Sequence, residues 1–126
     1  MKNEPHYQGT FMRTDILPKT GCFVLNLDKS ENSGTHWVAV HCDKNVYYDS
    51  FGLPPPLELI NHKIKYYNTI QHQQKNSALC GLYACLFLKW LNRGQTFYNI
   101  CYNLFKFKNY NKTNHANLKL LLRKMS

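Results

Sequence analysis

Residues 76–88 read NSALCGLYACLFL, a polar start followed by an apolar run in which Cys80 stands near the beginning. The apolar side chains continue as far as Leu91 and cover most of a helical circumference, which predicts a helix from Ser77 to about Leu91 that is buried at the centre of the fold. A thiol at a helix N-terminus lies at the positive end of the helix dipole, which favours the reactive thiolate. Gly81 allows the backbone to approach a substrate closely. We therefore expect Cys80 to be an activated nucleophile rather than an ordinary core thiol.

Two strand-like segments upstream of Cys80 offer a base and a carboxylate. Residues 35–50 predict a β-hairpin with a polar turn, in which Cys42 pairs with Asn45. This register puts His36 and Asp49 on the same face of the sheet, roughly 7–8 Å apart at the backbone. A four-residue loop keeps the register, whereas a three-residue loop separates the pair. The pattern predicts that His36 takes the thiol proton and that Asp49 orients the imidazole.

Acyl transfer by a thiol also needs hydrogen-bond donors for the negative oxygen that develops on the attacked carbonyl. Gln73, seven residues before Cys80, can donate from an uncharged amide, and the backbone N–H of Cys80 offers a second donor. Gln74 and Gln71 are the alternatives to Gln73. The chain thus contains residue types for all four roles of a cysteine hydrolase: nucleophile, base, orienting group and oxyanion donor.

The residues alone leave alternative roles open for three of these positions. His72 is the alternative base, because it lies near Cys80 in the sequence. Asp49 could instead cap a turn before Phe51. Trp37 is expected to pack beside the site, where it either shields the imidazole or serves as a plain core residue.

Three motifs together resemble the adenovirus-type cysteine endopeptidases, the adenain-like enzymes of adenoviruses and virus-like transposons. The motifs are GTHW at residues 34–37, YDSFG at residues 48–52 and QQKNSALCG at residues 73–81. The same motifs are similar, at a greater distance, to the proteases that process ubiquitin-like modifiers. The gap of seven from Gln73 to Cys80 is typical of the viral branch. The resemblance covers about residues 10–92, and Asp49 stands where several members have a glutamate.

The resemblance implies a cysteine endopeptidase that processes viral or virus-like precursor proteins and cleaves near small residues such as glycine. The residues that it assigns to catalysis are His36, Asp49, Gln73 and Cys80, with Trp37 and Gly81 as substrate-binding or supporting residues. It also implies that DNA and a short viral peptide act as activators. A protease for ubiquitin-like modifiers, or a non-catalytic DNA-binding protein of the same fold, is the alternative function.

The expected fold is α+β, with one domain over residues 1–126. A small, mainly antiparallel sheet would pack on the central helix that bears the cysteine, with further helices at the C-terminus. Beyond the hairpin and central helix, the patterns predict a strand over residues 21–27, a helix at about 57–63, a strand over 64–70, and helices at about 96–105 and 115–125. The strand over 64–70 would bring Gln73 to the edge of the sheet. Residues 1–9 are polar and are expected to be loose.

Composition restricts the setting in which the protein acts. The chain has 126 residues and a formal net charge of +9, yet all seven acids lie at or before Glu58. Residues 59–126 contain eleven Lys and Arg, which predicts DNA binding through the basic C-terminal half, with a merely solubilising surface as the alternative. Five cysteines without a regular framework, and no apolar run of spanning length, indicate an intracellular protein. The family resemblance implies the host nucleus or cytoplasm as its location, or packaging in virions. No membrane partner, metal or cofactor is expected.

Overall fold

The computed structural model describes residues 4–27, 36–72 and 80–109, in which five strands form one mixed sheet and helices cover it. The strands are β1 (Tyr7–Met12), β2 (Cys22–Asn26), β3 (Trp37–His41), β4 (Val46–Tyr48) and β5 (Tyr66–Tyr67), and they are ordered in space as in the sequence. The helices are a 3-10 helix (Leu57–His62), α1 (Cys80–Asn92) and α2 (Phe97–Asn109). The α+β class and a helix that carries Cys80 near its start are as the sequence predicts, although residues 77–79, where the predicted helix begins, lie outside the described residues.

The central hairpin has the predicted register. β3 and β4 are antiparallel, and His41 pairs with Val46. The turn is closed by the N–H of Asn45, which donates to the carbonyl of Cys42 at 3.3 Å. Asn45 has φ 59°, a left-handed conformation that asparagine tolerates better than most residues. This short turn fixes which side chains of the two strands share a face.

The expectation of a mainly antiparallel sheet is wrong at both edges. β2 and β4 are antiparallel to β3, but β1 is parallel to β2 and β5 is parallel to β4. The turn between β3 and β4 can be recognised locally in the sequence. The direction of an edge strand depends instead on where a longer connection re-enters the sheet. Residues 13–21 and 49–65 are those connections.

Residues 4–9 are not loose, contrary to expectation, because they lead into and form part of β1. Side chains of β1 alternate between half-buried and exposed, as an edge strand requires. Glu4 is buried and accepts a hydrogen bond from Arg93, just after α1, at 3.1 Å. The start of the described chain is therefore attached to the end of the central helix.

Helix α1 lies against one face of the sheet and is buried along most of its length. The aromatic rings of Phe87 and Tyr48 stack there with centroids 4.3 Å apart. Leu59 of the 3-10 helix covers the opposite face, so the helix expected at about 57–63 exists as a tighter 3-10 helix. The strand expected over 64–70 is reduced to the two residues of β5.

Helix α2 begins after Thr96, whose hydroxyl accepts the N–H of Asn99 at 3.1 Å and so caps the helix as the sequence predicts. The helix continues to Asn109, beyond the predicted end. The helix expected at 115–125 lies outside the described residues. None of the helices in the described ranges is long and apolar enough to cross a membrane.

Candidate functional site

The hairpin brings His36 and Asp49 into direct contact. Nε2 of His36 lies 3.0 Å from Oδ1 of Asp49. Asp49 is fully buried, with 0% of its surface exposed. The same carboxylate oxygen accepts the backbone N–H of Phe51 at 2.8 Å. The two roles expected of Asp49, orienting an imidazole and capping a turn, therefore correspond to contacts of one oxygen. The ring of Phe51 also stacks on His36, with centroids 4.8 Å apart.

Cys80 reaches the same place from the helix that covers the sheet, as the first residue of α1. The backbone N–H of Trp37 donates to Sγ of Cys80 at 3.4 Å. The side chain of Trp37 packs on the first turn of the helix, where a Cβ added at Gly81 would lie 3.6 Å from the indole. The first residues of β3 and of α1 thus touch, which brings the thiol beside His36. Trp37 is half-buried and belongs to the edge of the main core.

The electrostatics of the pair favour a charged thiol and a charged imidazole. Burial raises the pKa of the Cys80 thiol, but hydrogen bonds from His36 and from Trp37 N–H, together with the charge of His36, lower it by more, so the net pKa is below its ordinary value. Burial lowers the pKa of His36, but its hydrogen bonds to Asp49 and Cys80 raise it overall to about 9. A thiolate beside an imidazolium is the reactive state of a cysteine nucleophile.

Asn68 supports Asp49 from the segment that follows β5. Its Oδ1 accepts the backbone N–H of Asp49 at 3.1 Å, and its Nδ2 donates to the backbone carbonyl of Asp49 at 2.5 Å. Nδ2 also lies 3.3 Å from the carbonyl of Ile70. Asn68 is 5% exposed, so its side chain is shielded from water. Asn68 was not among the site residues predicted from the sequence, because a single asparagine between two tyrosines and a threonine offers no local signal of a role.

The rest of the same segment packs closely on the YDSFG motif. The N–H of His72 donates to the carbonyl of Ser50 at 2.8 Å. Gly52 has φ +76°, and a Cβ there would come within 2.9 Å of the backbone at Thr69 and Ile70. Only glycine fits such an approach without displacing the neighbouring chain.

Of the remaining candidates predicted from the sequence, His72 and Gln71 lie in the described part of the chain. His72 is buried in the core, where its Nδ1 lies 2.9 Å from the hydroxyl of Tyr48, so this contact is structural. Gln73 and Gln74 lie outside the described residues. Gln71 is described and partly buried. Among the described residues, no three His, Cys, Asp or Glu side chains are grouped as a metal site requires.

Curated viral proteins are similar to this chain in sequence. A candidate thiol protease of Acanthamoeba polyphaga mimivirus is 32% identical over 106 residues, which cover 70% of this chain and 35% of that protein. The protease of Bovine adenovirus C serotype 10 is 27% identical over 109 residues, which cover 68% of this chain and 54% of that protein. The chain therefore spans about a third to a half of the length of these relatives. No protein-family model matches it. These similarities confirm the resemblance to the adenovirus-type cysteine proteases that the three motifs indicate.

Proposed function

We propose that this protein is a cysteine endopeptidase in which Cys80 is the nucleophile and His36 the general acid and base. The observation that supports this most directly is the position of one imidazole between a buried carboxylate and a thiol with a lowered pKa. Asp49 would hold the ring in one orientation and stabilise its positive charge. The similarity to viral proteases agrees with this chemistry.

In the proposed reaction the Cys80 thiolate attacks the carbonyl carbon of the scissile peptide bond, forming a C–S bond. The imidazolium of His36 gives its proton to the leaving amine as the C–N bond breaks, which leaves a thioester. Water then attacks the thioester while His36 accepts a proton from it. The acid is released and the thiolate–imidazolium pair is restored.

The oxygen that becomes negative during both steps needs preorganised donors. The backbone N–H of Cys80, at the N-terminus of α1, is one such donor in this proposal. The amide of Gln73 is the second, as expected from the sequence, with Gln74 and Gln71 as alternatives. A Gln73→Ala variant should keep the reactive thiol but lose turnover, since the thiolate forms without it.

The proposed substrates are precursor polypeptides of a virus or virus-like element, cleaved near small residues such as glycine. This part of the proposal comes from the family resemblance. We also propose that the protein acts in the host nucleus or cytoplasm or within a virion, and that residues 1–126 form one domain.

The first test is labelling with iodoacetamide at neutral pH, followed by mass spectrometry to identify the modified cysteine. Cys80 should react first in the wild type, and His36→Ala should slow that reaction. The other four cysteines are internal controls, because burial raises the pKa of Cys22, Cys42, Cys85 and Cys101. Uniform slow labelling of all five, in the presence and absence of DNA, would contradict the proposal. Hydrolysis of glycine-containing peptides by the wild type, and not by Cys80→Ala, then tests turnover.

We also propose that a short peptide activates the enzyme, because the structure contains a cavity that could bind one. An apolar cavity of about 280 Å³ lies between the segment after β5 and α2. Its lining includes the exposed side chains of Ile70, Tyr98 and Tyr102. Short synthetic peptides with apolar side chains should accelerate Cys80 labelling in the wild type and not in Tyr102→Asp. Equal acceleration in both would exclude this cavity as the binding site.

A further inference from the structure

We propose that Asn68 is a positioning residue for catalysis, holding Asp49 where its carboxylate contacts His36 beside Cys80. This inference rests on the proposed function, because it assigns a role within the same site. The hydrogen bonds of the Asn68 side chain are with the backbone of Asp49 and of Ile70. It therefore acts through the carboxylate rather than on the reacting atoms.

The backbone of Asp49 needs such a partner because it lies just beyond the end of β4. Strand β5, the neighbour of β4, contains only Tyr66 and Tyr67, so its ladder stops before reaching Asp49. The side chain of Asn68 replaces the missing ladder, since one amide both donates and accepts. Leaving these buried backbone groups without partners would cost free energy, so the pair fixes the end of β4.

The position of Asp49 in turn sets the charge of the site. Its carboxylate approaches His36 at 3.0 Å, and this contact contributes to the raised pKa of the imidazole. The imidazolium then lowers the pKa of Cys80. A small displacement of Asp49 would weaken the first contact and so make the thiolate less stable. Removing the Asn68 side chain should thus lower the reactivity of Cys80, although Asn68 acts on the thiol only through Asp49 and His36.

The test measures the rate of Cys80 alkylation by iodoacetamide between pH 5 and pH 10 in wild type and Asn68→Ala. We expect the midpoint of the profile to move to higher pH by about half to one pH unit, so that at any pH below the wild-type midpoint the rate falls about three- to tenfold. Asn92→Ala is the matched control. Asn92 is also an amide that bonds other groups, His41 and the carbonyl of Pro5, but it stands at the opposite end of α1. Its profile should match that of the wild type.

A double-mutant cycle separates a positioning role from general destabilisation. In an Asp49→Asn background, Asn68→Ala should have little further effect on the alkylation midpoint, because the charge through which it acts is absent. Additive effects would overturn the inference. If Asn68→Ala does not fold, as near-ultraviolet circular dichroism would reveal, Asn68→Ser is used instead, and it should move the midpoint in the same direction by a smaller amount.

The outcomes also distinguish this inference from the proposed function. A wild type whose Cys80 has an ordinary alkylation profile would contradict the proposed function itself. A wild type with a low midpoint that Asn68→Ala and Asn68→Ser leave unchanged would overturn the role of Asn68 alone.

Discussion

Asp49 shows how much depends on one buried charge. A carboxylate that is 0% exposed is costly unless it is paired, and here His36 and the N–H of Phe51 are its partners. The arrangement does more than stabilise the fold, because the energy of the carboxylate is coupled to the protonation of the imidazole. Removing the charge while keeping the shape should therefore change reactivity more than structure.

Asp49→Asn is predicted to move the pH dependence of Cys80 alkylation upward. The thiolate is the reacting form, so in the wild type the rate rises as pH increases through the lowered pKa of Cys80. Without the carboxylate, the pKa of His36 should fall from about 9 toward its ordinary value, and the thiol then ionises only at higher pH. Once the midpoint lies above pH 7, a further rise of one in the pKa of the thiol lowers the rate at pH 7 by about tenfold. Asp43→Asn, in the turn of the same hairpin, is the control, and an unchanged midpoint in Asp49→Asn would refute the coupling.

Gly52 and Gly94 allow two effects of a glycine to be separated. Both have positive φ, +76° and +91°, but only Gly52 is crowded, since nothing lies within 4 Å of a Cβ at Gly94. Gly94→Ala should cost about 1 kcal/mol of unfolding free energy from the backbone conformation alone. Gly52→Ala should cost about 2–4 kcal/mol because the chain at Thr69 must also move. Urea denaturation of both variants measures the difference, and equal costs would mean that the close approach is not constraining.

At the scale of elements, the N-terminus of α1 brings together the start of β3 and the nucleophile. Gly81 lies in this first turn, and a methyl group there would make only ordinary contact with Trp37. Packing within the described chain therefore does not require a glycine at this position. Close approach of a substrate is the reason expected from the sequence.

Gly81→Ala is accordingly predicted to leave the fold intact and to impair cleavage. Alanine in a helix is favoured over glycine by roughly 0.5–1 kcal/mol, so the unfolding free energy should stay level or rise. Alkylation by the small reagent iodoacetamide should be little changed, whereas kcat/KM for a peptide that the wild type cleaves should fall at least about tenfold, equivalent to about 1.4 kcal/mol. Unchanged peptide hydrolysis would show that the glycine does not contact substrate.

The elements also show what the sequence can and cannot predict. The hairpin register followed from the polar turn between Cys42 and Asn45, and α1 from its continuous apolar run, because both signals are local. The parallel directions of β1 and β5 were missed, since they depend on long connections. Asn68 was missed for the same reason: its role depends on meeting Asp49, 19 residues earlier in the chain. The parts of the site that depend on local sequence patterns, the hairpin and the start of α1, could be predicted. The part that depends on contact with a distant segment, Asn68, could not.

For the whole molecule, the segregation of charge in the sequence is partly cancelled by the fold. Glu4, from the acidic half, contacts Arg93 at 3.1 Å and Lys89 at 3.9 Å in the half that lacks acids. These two cations are therefore less available to an external polyanion. Lys63 and Lys65, by contrast, are exposed and follow the 3-10 helix. A DNA-binding surface would have to use exposed cations such as these two lysines, which do not pair with Glu4.

The DNA binding that the sequence predicts for the basic half should depend on salt. A protein that neutralises phosphates releases counterions, so affinity for a fluorescent DNA duplex should fall steeply between about 50 and 200 mM salt, with a slope of roughly −0.9 in log K against log salt for each phosphate contacted. The Lys63→Gln/Lys65→Gln double variant should reduce that slope by up to about 2. Lys19→Gln/Lys44→Gln removes the same charge from exposed positions in the first half and is the matched control. Fluorescence anisotropy measures all three proteins. Equal losses in both double variants would mean that net charge alone attracts DNA, and no salt dependence would mean that the basic half only keeps the protein in solution.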